Sequence, residues 1–452
     1  MNSVSDIGLE ATDRAVSRAV AASAAFRKSL ADDPPGAVGS LAGHRPVSGQ
    51  QALTALRERG GVSQDAEWRD ALCRWIAVLA VRRVSEQAEI DLAQVEAERT
   101  ARVHLEVDRM VAFREAWREL VTTASPRDAA AWLTAAADRG QVVASARQEV
   151  RARRHEALVR LGYASWAQLT GESDAVASSA ADFLRATDDL AAEVRREATR
   201  AERPAAGTFV GAVLEAIARD APDGFSARLT LHTIMDMFGG SEGSRGLRLD
   251  VPLPRVLGAA SFARALVSFG AAFRRAGAAS GKTPFALASD ATFVDAHRFG
   301  FVFGALVTDP VFHRKGLGVV ARVADKQARI VAKTALLHAR TLALQALMSR
   351  EDTRPDRALF EELTHRVYGH ALPATLLGAF PRARFEDEAA RAEALFSSLA
   401  MLRDLRERFD EDWFKNPRAW RSLRARASGP ARIPAEPLDA ASLARAFEES
   451  LG

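Results

Sequence analysis

The sequence predicts an all-α protein of many helices, and three observations carry that prediction. Ala, Leu, Arg and Glu dominate the 452 residues, and all four are good helix formers. Apolar residues recur at helical spacing, as where Leu72, Trp75, Ile76 and Leu79 fall at i, i+3, i+4 and i+7. Strand-like alternation is confined to RGLRLDVPLP at 245–254, so at most a small β hairpin is expected, near those residues.

The helices follow in order. Residues 1–31 read as one helix, ended by DDPPG and a Pro/Gly-rich linker to residue 47. Ser48 caps a short helix that stops at Gly60-Gly61. From Gln64 to Thr123 the pattern predicts one very long helix or two joined near Ala101, with Met110, Phe113, Trp117 and Leu120 resuming the apolar stripe. Ser125-Pro126 opens another helix that ends near Gly140, and a further one runs to Leu161 with Gly162 as terminator. Residues 173–203 form a long amphipathic helix closed by Pro204, followed by shorter ones at 207–221 and 226–238. After the extended stretch, helices are expected at 257–277, 290–306, 318–349, 355–369, 385–412, 417–426 and 440–450. A chain this long exceeds the usual size of a single core. The division expected is an N-terminal helix and linker (1–47), a helical lobe (48–240) and a second helical lobe (241–452). No repeat of constant period argues for a solenoid.

Composition excludes several classes. The 62 basic and 58 acidic residues give a net charge of +4, and they alternate along the helices, as in EAERTARVHLEVDR. That is the pattern of solvated faces with local ion pairs, so no nucleic-acid partner is expected. A single cysteine, Cys73, rules out an internal disulfide and a CxxC metal site, and its apolar helical setting reads as an inert buried thiol. No apolar stretch is long enough to span a membrane, and the first residues lack the pattern of a signal peptide. The expected location is therefore the cytoplasm, with no membrane partner.

Three segments point to a family: RRHEALVRLGYASWAQLTG at 153–171, DATFVDAHRFGFVFGAL at 290–306 and FDEDWFKNPRAWRSLRA at 409–425. Their order and spacing resemble the later part of the helical zinc peptidases related to thimet oligopeptidase and oligoendopeptidase F. The resemblance covers roughly residues 140–425 and implies a two-lobed, zinc-peptidase-like helical fold with a substrate cleft. In that family an active-site helix carries HExGH. Two His at i and i+4 bind zinc, the intervening Glu is the general base, and a later Glu completes the ligands. The matching segment here is HRFGF. His297 keeps the first ligand position, Arg298 stands for the base and Phe301 for the second His. An arginine does not accept a proton from water near neutral pH, and a phenylalanine does not ligate metal. No Glu falls between His297 and Glu351, which leaves Asp325 as the carboxylate placed to stand in. The expectation is a degenerate site with no catalytic residue, no metal and no cofactor: a pseudoenzyme that binds a peptide or protein partner.

The same residues also read as plain packing. Phe293, His297, Phe301 and Gly304 follow helical spacing, and a lone His on such a face is commonly a hydrogen-bonded core group. Downstream, THRVYGHALP brings His365, Tyr368 and His370 together as a candidate cleft segment, since the resemblance implies a His and a Tyr there that contact substrate. The segment lacks the family's GY-rich loop pattern, and it reads equally as a helix end with Gly369 as terminator. HEALV at 155–159 starts like a zinc motif but has Val159 in the second ligand place, and HLEVD at 104–108 reads as a His104/Asp108 pair on a solvated helix. ASGKTP at 279–284 lacks the strand and first glycine of a phosphate loop. Two rivals remain open, a helical interaction scaffold without peptidase ancestry and an enzyme of unrecognised chemistry. The oligomeric state is not readable from the sequence.

Overall fold

The computed structural model describes the chain apart from residues 1–7, 59–65, 106–107, 124, 172–173, 201–224, 226–228, 240–246, 248, 250–252, 281, 350–355, 381–387 and 432–437. The described residues form an all-α fold with one two-stranded antiparallel sheet.

The N-terminal part holds α1 (Leu9–Asp32), α2 (Gln50–Glu58) and α3 (Ala66–Ala97). The stripe Leu72, Trp75, Ile76 and Leu79 is buried, as its spacing predicts. Beyond Ala97 the structure departs from the expected long helix. A hairpin of β1 (Arg99–Val103) and β2 (Arg109–Ala112) intervenes before α4 (Phe113–Thr122). Ala101, Val103 and Val111 point into the core while Arg99, Arg102, Arg109 and Met110 stay outside, a period of two hidden among arginines. His104 and Asp108 do meet, at 3.0 Å, but across the hairpin turn and not along a helix. The extended stretch expected at 245–254 lies largely outside the described residues.

Helix α5 (Pro126–Arg160) starts as predicted, with Ser125 Oγ accepting the Asp128 N–H at 3.2 Å. It does not stop at Gly140. That glycine is a contact point: a Cβ there would lie 3.4 Å from Leu376, so the missing side chain serves packing and not termination. Gly162 does close the helix, in the left-handed region at φ +84, and Ser165 caps α6 (Trp166–Thr170). The next predicted helix is split into α7 (Ala175–Ala186) and α8 (Asp188–Arg200) at Thr187, whose hydroxyl accepts from the buried Arg340 at 2.6 Å. The helix expected at 207–221 lies outside the described residues.

The C-terminal part comprises α9 (Leu231–Gly239), α10 (Ala259–Ser280), α11 (Phe285–Ala288), α12 (Val294–Gly304), α13 (Ala321–Ser349), α14 (Arg357–Tyr368), α15 (Glu388–Phe409), α16 (Pro417–Ser428) and α17 (Ala440–Leu451). The larger hydrophobic cluster draws on residues from Ala88 to Phe447. A second is built mainly from α1, α2 and the first half of α3. Helix α12 joins them: Phe293 and Ala296 belong to the second cluster, while Phe299, Phe301, Val302 and Phe303 belong to the first. None of the described helices is long and apolar enough to cross a membrane.

Candidate functional site

Helix α12 carries the segment singled out from the sequence, and local interactions fix its start. The Asp290 carboxylate accepts the N–H groups of Thr292, Val294 and Asp295, which satisfies donors that a helix start leaves open. Phe293 sits at φ 61, a conformation costly for a bulky residue, and is packed edge-on against Trp75 at 5.6 Å. Along its length α12 lies against α10 at backbone distance. A Cβ on Gly300 would stand 2.8 Å from the Val267 carbonyl oxygen, and one on Gly304 would stand 2.6 Å from the Val267 side chain.

The buried side of α12 is aromatic. Phe303 meets Phe269, Phe238, Trp413 and Trp420 at centroid distances of 5.3–5.7 Å. The segment 409–425 thus forms the backing of this helix. Arg298, in the place of a general base, is only 2% exposed. Its Nε donates to Ser397 Oγ at 2.9 Å and its Nη1 to Asp295 Oδ1 at 3.1 Å. Asp295 also accepts from Arg274, which donates in turn to the Ala427 and Ala288 carbonyls. Burial pulls the Arg298 pKa down, and Asp295 opposes that by favouring the charged form.

The other side of α12 faces a cavity of about 1610 Å³ walled by α10, α12, α13, α15 and α17. His297 and, one turn on, Phe301 both line it. Opposite them His338 on α13 presents its ring to the cavity, 6.2 Å from the Phe301 ring. Arg275 and Arg391 line the same cavity, and their charges act on His297. Burial lowers the His297 pKa to about 3, with Arg391, Arg275 and Arg27 pushing the same way. Burial also lowers His338 to about 4, helped by Arg391. His338 keeps a sizeable accessible surface toward the cavity. Both imidazoles are therefore neutral near pH 7. Among the described residues neither has a hydrogen-bond partner at its ring nitrogens, so the expected hydrogen bond from His297 to a neighbour is not formed.

Asp325 lines the cavity too, but far from this corner. From Asp325 to His338 helix α13 rises about 20 Å at ~1.5 Å per residue. His297 and Asp325 share one cavity without meeting. The segment with His365, Tyr368 and His370 does not line it. Tyr368 is buried in the main core, which raises its pKa. His365 is exposed, and His370 lies close to the Tyr368 carbonyl at 3.4 Å. Cys73 is buried, and burial raises its thiol pKa.

The donor set does not suit a zinc ion. Phe301 fills the second ligand place, and among the described residues no three His, Cys, Asp or Glu side chains are grouped to hold a metal. Sequence reading missed His338, Arg275 and Arg391. Each is a polar residue among others in an Ala- and Leu-rich helix, a pattern that also describes an ordinary solvated face, and only the packing of α10, α12, α13 and α15 aims them at one space.

No family profile and no curated protein matches the sequence. Among solved structures, one named as an oligoendopeptidase F of Bacillus anthracis str. Ames is similar, with a TM-score of 0.57 and 10% identity over 89% of this chain and 82% of that one. At that identity the likeness speaks for architecture alone: this chain has the helical fold of a protein named as an oligoendopeptidase F.

Proposed function

We propose that this chain is a non-catalytic relative of the helical zinc peptidases, a pseudoenzyme that binds an extended peptide in the cavity beside α12. The observation that carries the reading is the contrast on one helix turn. His297 and Phe301 face the cavity, while Arg298, at the position of the general base, turns away into a buried network with Asp295 and Ser397. A general base must reach the proton it removes, and Arg298 neither reaches the cavity nor accepts protons.

The size of the space supports a chain-like ligand. Along α15, Arg391 and Arg406 mark its two ends, about 22 Å apart by helix rise. That accommodates about six residues of extended chain at ~3.4 Å each. A volume of about 1610 Å³ also exceeds the usual range for small-molecule pockets, about 300–1,000 Å³. A pure scaffold would have no need for such a space, whereas a peptide-binding protein would.

Two measurements on protein purified without chelator test the reading. Metal analysis is expected to find no stoichiometric zinc, and incubation with a mixed peptide library is expected to leave every peptide intact while retaining a subset on the protein. One tightly bound zinc per chain that disappears in His297→Ala, or peptide hydrolysis abolished by that change, would overturn it.

A further inference from the structure

We propose that the arginine stripe of helix α16, formed by Arg418, Arg421 and Arg424, is a docking surface for an acidic segment of a partner protein, separate from the cavity.

Charge is spread unevenly along this chain. Between Asp412 and Glu436 stand Lys415, Arg418, Arg421, Arg424, Arg426 and Arg432, with no carboxylate among them. Those six cations exceed the net charge of +4, so the rest of the chain is net acidic. Elsewhere exposed helical arginines sit a turn from a carboxylate, as Arg153 does from Glu149, Arg160 from Glu156 and Arg408 from Asp404. On α16 that pattern fails. Arg418 and Arg421 are exposed and Arg424 is half-buried, and none of the three side chains forms an ion pair or hydrogen bond among the described residues. The adjoining α10, which packs Phe273 on Trp420 and brings Gly277 against Ala427, has no acidic residue to offer. Two cations of the stretch are engaged within the fold: Lys415 acts on Asp412, and Arg426 acts on Arg298. No residue of α16 lines the cavity.

The stripe does nothing for the helix that carries it. At i, i+3 and i+6 the three guanidiniums are successive neighbours on the helix surface and repel one another. Arg418 is the second residue of α16, where the helix dipole favours a carboxylate. The core contacts of α16 are made by Ala419, Trp420, Leu423 and Ala427. An arrangement unfavourable to the helix and unused by the core is accounted for by a counter-charge that comes from outside.

The form of the stripe selects the partner. From Arg418 to Arg424 the helix rises about 9 Å at ~1.5 Å per residue. That spacing matches carboxylates a turn apart on an acidic segment, and each guanidinium can give a carboxylate two parallel N–H···O bonds. A nucleic acid would run on past the stripe, toward the exposed Glu411, which repels phosphate. A bilayer would gain coulombic attraction alone, because α16 exposes no large apolar side chain that could insert.

Fluorescence anisotropy of the full-length protein tests this with three labelled probes: a twelve-residue alanine-based peptide with glutamate at every fourth position, the same peptide with glutamine in those places, and a twelve-nucleotide single-stranded DNA. Co-sedimentation with vesicles of phosphatidylcholine and phosphatidylserine completes the set. The glutamate peptide is expected to bind at least tenfold more tightly than the glutamine peptide, and to weaken as salt is raised. Combining Arg418→Gln, Arg421→Gln and Arg424→Gln should remove that difference, with circular dichroism showing the variant folded. Should the triple variant not fold, Arg421→Gln alone serves, with an expected loss of at least threefold. Absence of binding, equal binding of the two peptides, or glutamate-peptide binding that survives the substitutions would overturn the proposal. Tighter binding of the DNA or the vesicles than of the glutamate peptide, lost with the same substitutions, would overturn the acidic protein partner and assign the stripe to that other polyanion.

Discussion

The two faces of helix α12 treat polar residues in opposite ways. On the face toward α15 and α16, Asp295 is held between Arg274 and Arg298, and the guanidiniums reach onward to Ser397 and to the Ala427 and Ala288 carbonyls. On the cavity face, His297 and across from it His338 have no hydrogen-bond partners at their ring nitrogens among the described residues. A polar group satisfied inside the fold belongs to the architecture, because removing one partner strands the others. A polar group presented to an enclosed space without a partner is available to a ligand. Aromatic residues divide the same way: Phe303 meets five rings, while Phe301 stands at the cavity wall.

The largest effect should come from the ion-paired face, where Arg298 Nη2 alone of that network is buried without a partner. Asp295→Ala leaves two buried arginines without their shared carboxylate and is expected to cost about 3–5 kcal/mol in urea unfolding. Asp325→Ala, which removes an exposed carboxylate lining the cavity, should change stability by less than about 0.5 kcal/mol. Similar values for the two variants would erase the contrast between the faces. The aromatic pair sharpens it next. Phe303→Ala should cost about 3–5 kcal/mol, whereas Phe301→Ala, which loses buried surface but opens onto a space that already exists, should cost less in the same assay. Gly300→Ala should cost about 1–3 kcal/mol through overpacking against Val267; a variant as stable as the parent would show that α10 and α12 are free to move apart.

A smaller effect should appear with pH. The folded pKa values of His297 and His338, about 3 and about 4, lie below the unfolded value of about 6.5. Between those limits the unfolded chain binds more protons, so this contribution to stability is complete near pH 7 and declines as the pH falls toward 4. Thermal melts at pH 7, 5.5 and 4.5 should show a shallower decline for His297→Gln and His338→Gln than for the parent. A steeper one would mean that the imidazoles are charged in the folded state. The weakest expected signal is metal binding by Phe301→His, which brings a third imidazole beside His297 and His338. Weak nickel or zinc uptake, opposed by Arg391, should be detectable by equilibrium dialysis where the parent shows none. Its absence would argue that the imidazoles do not converge.

Most helices were legible because their apolar stripes and caps are strong, as at Ser125-Pro126 and Leu72–Leu79. The hairpin at 99–112 was not, because its inward Ala101, Val103 and Val111 are few and its arginines suit a solvated helix equally well. Gly140 was misread for a physical reason: a glycine that ends a helix and one that admits a neighbouring side chain look the same until the neighbour, here Leu376, is known. Of the candidate site, His297 and Phe301 followed from helical spacing. Arg298 was recognised as unable to act as a base, but its burial between Asp295 and Ser397 depends on α15, nearly a hundred residues away. His338 and Arg391 gave no local signal, since their meaning lies wholly in where the helices cross.

The contact between α10 and α12 runs through Gly300 and Gly304, with Val267 seated against their backbone. A spacing set in this way does not depend on the side chains that α12 turns to the cavity. Positions 297 and 301 can therefore exchange one chemistry for another while the wall they stand on keeps its place. Seen so, the glycine seam makes the shape of the chamber heritable separately from its contents: mutation can refurnish the room without moving the wall.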